Sequence, residues 1–163
     1  MEYQYFGCVR VANHNLARYG KQYNVRENAR IIERAVPVFR SLLSFSDEII
    51  ITLKPLRGDA SGYYDPNVDE VEVDFRYGYA EGQTPIPLLS VVAHELVHAE
   101  QYLTGRLDSE WDHEQCEYGY SWKGQAKMFI PEHKYKSYIL PWEQEAIEKQ
   151  DALALIVCAE LGL

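Results

Sequence analysis

Leu89, Val92, Leu96, Ala99 and Leu103 recur at spacings of three, four and seven, which predicts a helix with one buried stripe. Thr84-Pro85-Ile86-Pro87 supplies a start signal and Gly105 a stop, leaving about four to five turns between them. A second helical pattern runs through Ile31, Ile32, Ala35, Phe39, Leu42 and Leu43, opened by Asn24 and Glu27 in a capping arrangement. Pro37 is expected to kink or split it. Glu48 to Leu53 reads as a buried strand, Gly62 to Asn67 as a turn. Val68 to Phe75 sets Val71, Val73 and Phe75 against Glu70, Glu72 and Asp74, a half-buried strand with an acidic outer row. A last helix starts at Pro141 and continues through Gln150 and Leu155 to about Glu160. Residues 1–23 show weak periodicity, and residues 106–140 read as an irregular segment with a candidate short strand at Tyr120–Gly124. With no linker, repeat or low-complexity stretch, these elements imply one α+β domain over residues 1–163.

The chemistry sits on the first of these helices. Val91, His94, His98 and Tyr102 form a face beside the buried stripe, within the pattern His94-Glu95-Leu96-Val97-His98. Residues four apart on a helix lie one above the other, so both imidazoles can reach one Zn²⁺ while Glu95 stands beside them to move a proton. A catalytic zinc keeps three protein ligands and one open position, so a third ligand is expected. On the last helix Glu143 shares a face with Ala146, Ile147, Gln150, Leu153, Ala154 and Val157, which is mostly apolar and expected to pack inward. Burying a lone carboxylate is costly, and a cation removes that cost. Glu143 is therefore the expected ligand. Glu145, on the face of Glu148, Lys149 and Ala152, is the reserve, and an acid favouring the helix dipole is the plain alternative. His113 and His133 stand behind both, because a lone loop histidine is more often solvated than metallated; His14 reads as surface.

Expected mechanism follows from these groups: zinc held by His94, His98 and Glu143 activates water, and Glu95 takes its proton and hands it to the leaving amine. Tyr118, Tyr120, Tyr135, Tyr138 and His133 crowd the stretch between the two helices, with Tyr102 at its edge, and Tyr138, Tyr135 or His133 could donate to the oxyanion. The outer nitrogens of both histidines need acceptors that the sequence does not identify.

Composition narrows the partners. The net charge of −9 and the lack of a Lys/Arg cluster argue against nucleic acid. No apolar run reaches the length of a membrane span, and Met1-Glu2-Tyr3-Gln4 is no secretory signal. Cys8, Cys116 and Cys158, widely spaced, read as reduced thiols in a cytoplasmic setting, with Cys158 in the core. Oligomeric state is left open.

His94-Glu95-Leu96-Val97-His98-Ala99-Glu100-Gln101, Trp122-Lys123-Gly124 and Pro141-Trp142-Glu143-Gln144-Glu145-Ala146 together resemble small SprT-like or gluzincin-type metallopeptidases common in bacteriophages. The similarity covers roughly the second half of the chain. It implies a minimal zincin-like fold: a small mixed or antiparallel sheet packed on an N-terminal helix and the His-Glu-x-x-His helix, with a C-terminal helix carrying the third ligand. In gluzincins that ligand is the first Glu of Glu-x-x-Ala, here Glu143 with Ala146, although Ile147 replaces the acid that often follows. SprT proteins use a His in His-Gly-x-x-Trp, and this chain has Tyr118-Gly119-Tyr120-Ser121-Trp122 there, which favours the glutamate version. The resemblance also implies an extended peptide substrate pairing with a strand edge beside the active helix, for which Val68 to Phe75 is the candidate. Its acidic row would then favour basic residues in the substrate, or would simply keep an edge strand soluble. The function implied is zinc-dependent peptide hydrolysis in the cytoplasm, of the host if phage-encoded. The alternative is a zincin-fold regulatory or structural zinc protein with little or no proteolytic activity, and a third reading is a binding module in which the histidines are incidental.

Overall fold

The computed structural model describes residues 2–46, 48–77, 84–114, 117–131 and 140–163. Five short strands, β1 (Tyr3–Phe6), β2 (Val9–Ala12), β3 (Ile50–Leu53), β4 (Gly62–Asp65) and β5 (Glu70–Val73), form one sheet in the order β1-β2-β3-β5-β4. β2, β3 and β5 run parallel, and β1 and β4 close the two edges antiparallel. The crossover from β2 to β3 carries α1 (Asn13–Tyr19) and α2 (Val25–Leu43), as a parallel connection requires. Alternation then divides the sheet by face. Val9, Val11, Ile51, Leu53, Val71 and Val73 are fully buried in one core with α2 and α3 (Ile86–Leu103). On the opposite face Arg10 donates to Thr52 and Glu70, and Lys54 pairs with Glu72.

The fold is α+β, with four α-helices and two sheets among the described residues. Several elements differ from the sequence reading. α2 is continuous through Pro37, which lies on its exposed side where the carbonyl left unpaired can meet water. The capping arrangement is not formed. Asn24 adopts a left-handed conformation (φ 48°), and its side chain makes no cap bond. Gly62–Asp65 is an edge strand rather than a turn; the turn follows it, where Asp65 accepts from the Asn67 backbone N–H at 2.9 Å.

β5 in turn is no edge. It lies between β3 and β4, so both of its backbone sides are paired and it cannot take an extended substrate. Its acidic row is occupied as well. Glu70 is bonded to Arg10 and Thr52, and Glu72 to Lys54. Asp74 is fully buried, accepting from the backbone N–H groups of Leu56 and Arg76 (2.9 Å each) and from the Arg76 guanidinium. Burial pushes its pKa up, but the hydrogen bonds from Arg76 and Leu56 outweigh burial and hold it below the usual range. Asp74→Ala strands two backbone donors, and urea unfolding is expected to register a loss of about 1–3 kcal/mol. Because the folded pKa is depressed, Asp74 stabilises fully above the ordinary aspartate pKa of about 4 and progressively less as pH falls through it. The difference between wild type and variant should therefore shrink in acid.

The stretch after α3 is ordered where described, contrary to the irregular segment expected. β6 (Leu107–Asp112), β7 (Glu117–Trp122) and β8 (Met128–Pro131) form an antiparallel meander. Leu107, Tyr120, Trp122 and Ile130 bury one face of it against Leu140 and Trp142 at the start of α4 (Pro141–Leu161). On α4 the inward stripe is Trp142, Ala146, Ala154, Val157 and Cys158, narrower than expected, and Ile147 is 59% exposed. α4 packs along α3, and small residues on both helices, Ala146 and Ala154 on α4 and Ala93 and Ala99 on α3, are fully buried. Cys8 and Cys158 are free thiols, and Cys116 lies outside the described residues. No described helix is long and apolar enough to cross a membrane.

Candidate metal centre

α3 forms the floor of a cleft of about 1200 Å³, with β4 on one side and α4, β6 and β7 on the other. His94 and His98 stand one turn apart on its cleft side, and Glu143 reaches them from the first turn of α4. The two Nε2 atoms are 3.1 Å apart, and each is 3.3 Å from Glu143 Oε2.

The tautomers follow from the outer contacts. Gln101 Nε2 donates to the Trp142 carbonyl at 3.1 Å, which turns its Oε1 to His98 Nδ1 at 2.9 Å. A carboxamide oxygen only accepts, so Nδ1 carries the proton. Gln150 Oε1 lies 2.9 Å from His94 Nδ1 and can accept from it likewise. With Nδ1–H on each neutral ring, the two Nε2 atoms and a carboxylate oxygen converge on one point, and a positive charge there, a metal ion or a proton taken up by a ring, relieves their repulsion. The ligand–ligand edge of a tetrahedral zinc site with bonds near 2.0–2.1 Å is about 3.3–3.4 Å, so the triangle fits the ion. His94, His98 and Glu143 are the group among the described residues able to hold a metal. Burial lowers the pKa of each histidine, but Glu143 above all raises it again, with a net upward shift: the same pull toward a positive charge.

The other candidates lie elsewhere. Glu145 is not in the triangle; its carboxylate accepts from Arg106 and Lys149. His113 is exposed beside the Trp111 ring, and His14 is exposed at the start of α1. His133, Tyr135 and Tyr138 lie outside the described residues. Tyr102, Tyr118 and Tyr120 line the cleft, and Tyr102 donates to Ser109 at 2.8 Å. Chiefly through burial, the Tyr102 phenol pKa is raised, so the hydroxyl keeps its proton. Sequence reasoning missed Gln101 and the role of Gln150. Their spacing was a signal: Gln101 follows His98 by one turn, and Gln150 follows Glu143 by two.

Glu95 is 6% exposed and lines the same cleft. Burial is the largest influence on its carboxyl and pushes the pKa up to about 7, against the opposing pull of His98, His94 and a backbone hydrogen bond from Tyr64. A positive charge between the ligands favours its ionised form. Room for this carboxylate depends on Gly62. A Cβ there would stand 2.7 Å from both Cγ and Oε1 of Glu95. Gly62→Ala is accordingly expected to force the Glu95 side chain or β4 aside, at a cost in stability of about 1–3 kcal/mol. Urea unfolding of the variant beside wild type checks this.

The chain matches no protein-family model, no curated protein and no solved structure. The functional reading therefore stands on the residues and their geometry.

Proposed function

We propose that the protein is a zinc-dependent peptidase of the gluzincin kind that its motifs resemble. The observation that carries this is the triangle of His94 Nε2, His98 Nε2 and Glu143 Oε2, 3.1–3.3 Å on each side, with a buried glutamate beside it that the triangle does not use. A purely structural zinc site has no need of Glu95 or of an open cleft.

When bound, zinc supplies a Lewis acid for the scissile carbonyl and brings the pKa of a water toward neutrality. Glu95 takes the proton of the attacking water and returns it to the leaving amine, a role suited to a carboxyl whose pKa has moved toward 7. Gln101 and Gln150 hold both imidazoles with Nε2 free. The strand edge beside the active helix is β4, not β5: one of its sides pairs with β5 and the other has no strand beside it among the described residues, which suits an extended peptide. Acidity also reaches the cleft by another route than β5. Asp59 and Asp151 line it, and no Lys or Arg does among the described residues. Peptides with basic residues are the favoured class.

The deciding experiment measures metal content of the purified protein and then cleavage of a peptide library, with and without chelator. One zinc per chain and chelator-sensitive cleavage enriched for Lys or Arg support the proposal. Zinc without cleavage of any peptide returns the protein to the regulatory or structural reading, and absence of zinc removes both.

A further inference from the structure

Arg106 joins the two helices that carry the three ligand candidates. Its Nη1 donates to both carboxylate oxygens of Glu145, at 3.0 and 2.8 Å, and its Nη2 donates to Glu100. The guanidinium also lies over the Trp122 ring, 5.4 Å from its centroid. Glu100 follows His98 by two residues, and Glu145 follows Glu143 by two. Two residues turn a helix by about 200°, so both acids face away from the ligands, and none of the three residues lines the cleft.

Their placement matters because Glu143 is the least secured ligand. It sits in the first turn of α4, and its side chain is 32% exposed against 19% for His94 and 11% for His98. Helix ends open more readily than helix centres. The rigid guanidinium resists such opening because it spans the two helices, with Nη1 on the Glu145 carboxylate of α4 and Nη2 on the Glu100 carboxylate of α3. All three members of the clamp are largely shielded, at 26% (Arg106), 13% (Glu100) and 18% (Glu145) side-chain exposure, so solvent screens them less than an open surface pair. Lys149 also pairs with Glu145, but from within α4, and so cannot fix that helix to α3.

We infer that Arg106 is a positioning residue for metal capture: by holding Glu100 and Glu145 together it fixes the first turn of α4 against α3, where Glu143 meets the two imidazoles. This rests on the metal-centre reading above. It is tested by titrating Zn²⁺ and Co²⁺ into the full-length protein and its Arg106→Gln, Arg106→Lys, Glu145→Gln and Lys149→Ala variants. Affinity is read by chelator competition and ligand geometry by the visible absorption of bound Co²⁺, with circular dichroism to establish that each variant is folded. Arg106→Gln and Glu145→Gln should weaken zinc about 10-fold or more and diminish the Co²⁺ band. Arg106→Lys, which keeps the charge without the fork, should recover part of both, and Lys149→Ala should match wild type. If Arg106→Gln does not fold, Glu145→Gln and Arg106→Lys carry the same comparison. Wild-type affinity and spectrum in the clamp variants, or an equal loss in Lys149→Ala, would overturn the inference while leaving the metal centre standing. A wild-type protein that binds neither ion overturns the metal centre and the inference together.

Discussion

Glu95→Gln is expected to lower peptide hydrolysis by about 10²–10⁴-fold while zinc stoichiometry stays at the wild-type value. The amide keeps the size and most of the packing of the carboxylate against Gly62, so the cleft should keep its shape. It cannot accept the proton of the attacking water. The substitution also removes a carboxyl whose ionisation burial opposes, as its pKa of about 7 records, so the metal-free variant should unfold at a temperature no lower than wild type. Kinetics on the best library peptide, metal analysis and a melting curve on the same preparation separate the possibilities. Loss of activity together with loss of zinc would make Glu95 structural, and retained activity would end its role as base.

Much of this site could be read from the chain because helical spacing is geometry. His94 and His98 are adjacent on any α-helix, and Leu89, Val92, Leu96 and Ala99 are all fully buried, which turns the His face toward the cleft. Glu143 could be placed on the same reasoning, although the face of α4 came out narrower than its sequence implied. Of the residues on that face, Ile147 is 59% exposed and Leu153 half-buried, while Ala146, Ala154 and Val157 are fully buried. A hydrophobic stripe shows which side of a helix can be buried, and its neighbours decide how wide the buried strip becomes.

Strands were harder, for two different physical reasons. In β6 and β7 the alternation is present, with Leu107, Ser109 and Trp111 on one side, then Tyr118, Tyr120 and Trp122. Polar Ser109 and half-polar tyrosines weaken the contrast on which the period-two signal depends. β4 and β5 show the second reason. Alternation gives the face of a strand but not its place in the sheet, and sheet order is fixed by pairing between distant segments. The acidic row on β5 resembled the outer row of an edge, yet Arg10 and Lys54 arrive from β2 and from just beyond β3 to pair with it. The edge role fell instead to Gly62–Asp65, whose glycine and aspartate had suggested a turn.

Glu143→Ala is expected to weaken zinc by more than the roughly 10–100-fold that loss of an outer hydrogen-bond partner costs, because it removes a ligand atom rather than its support. Two imidazole Nε2 atoms 3.1 Å apart remain, without the carboxylate that completes the set of donors. The comparison that gives the result meaning is Glu145→Gln. Both residues are acids in the first two turns of α4, so a general effect of charge on that helix end would appear in both variants alike. A specific ligand role predicts instead a graded series under chelator competition: wild type tightest, Glu145→Gln intermediate through loss of the Arg106 clamp, Glu143→Ala weakest. Hydrolysis should fall with zinc occupancy and return in part when Glu143→Ala is assayed in excess zinc, since Glu95, His94 and His98 are still in place. An inverted order, with Glu145→Gln losing the metal and Glu143→Ala keeping it, would mean that α4 is turned by about half a revolution from the position described, and the third ligand would be Glu145.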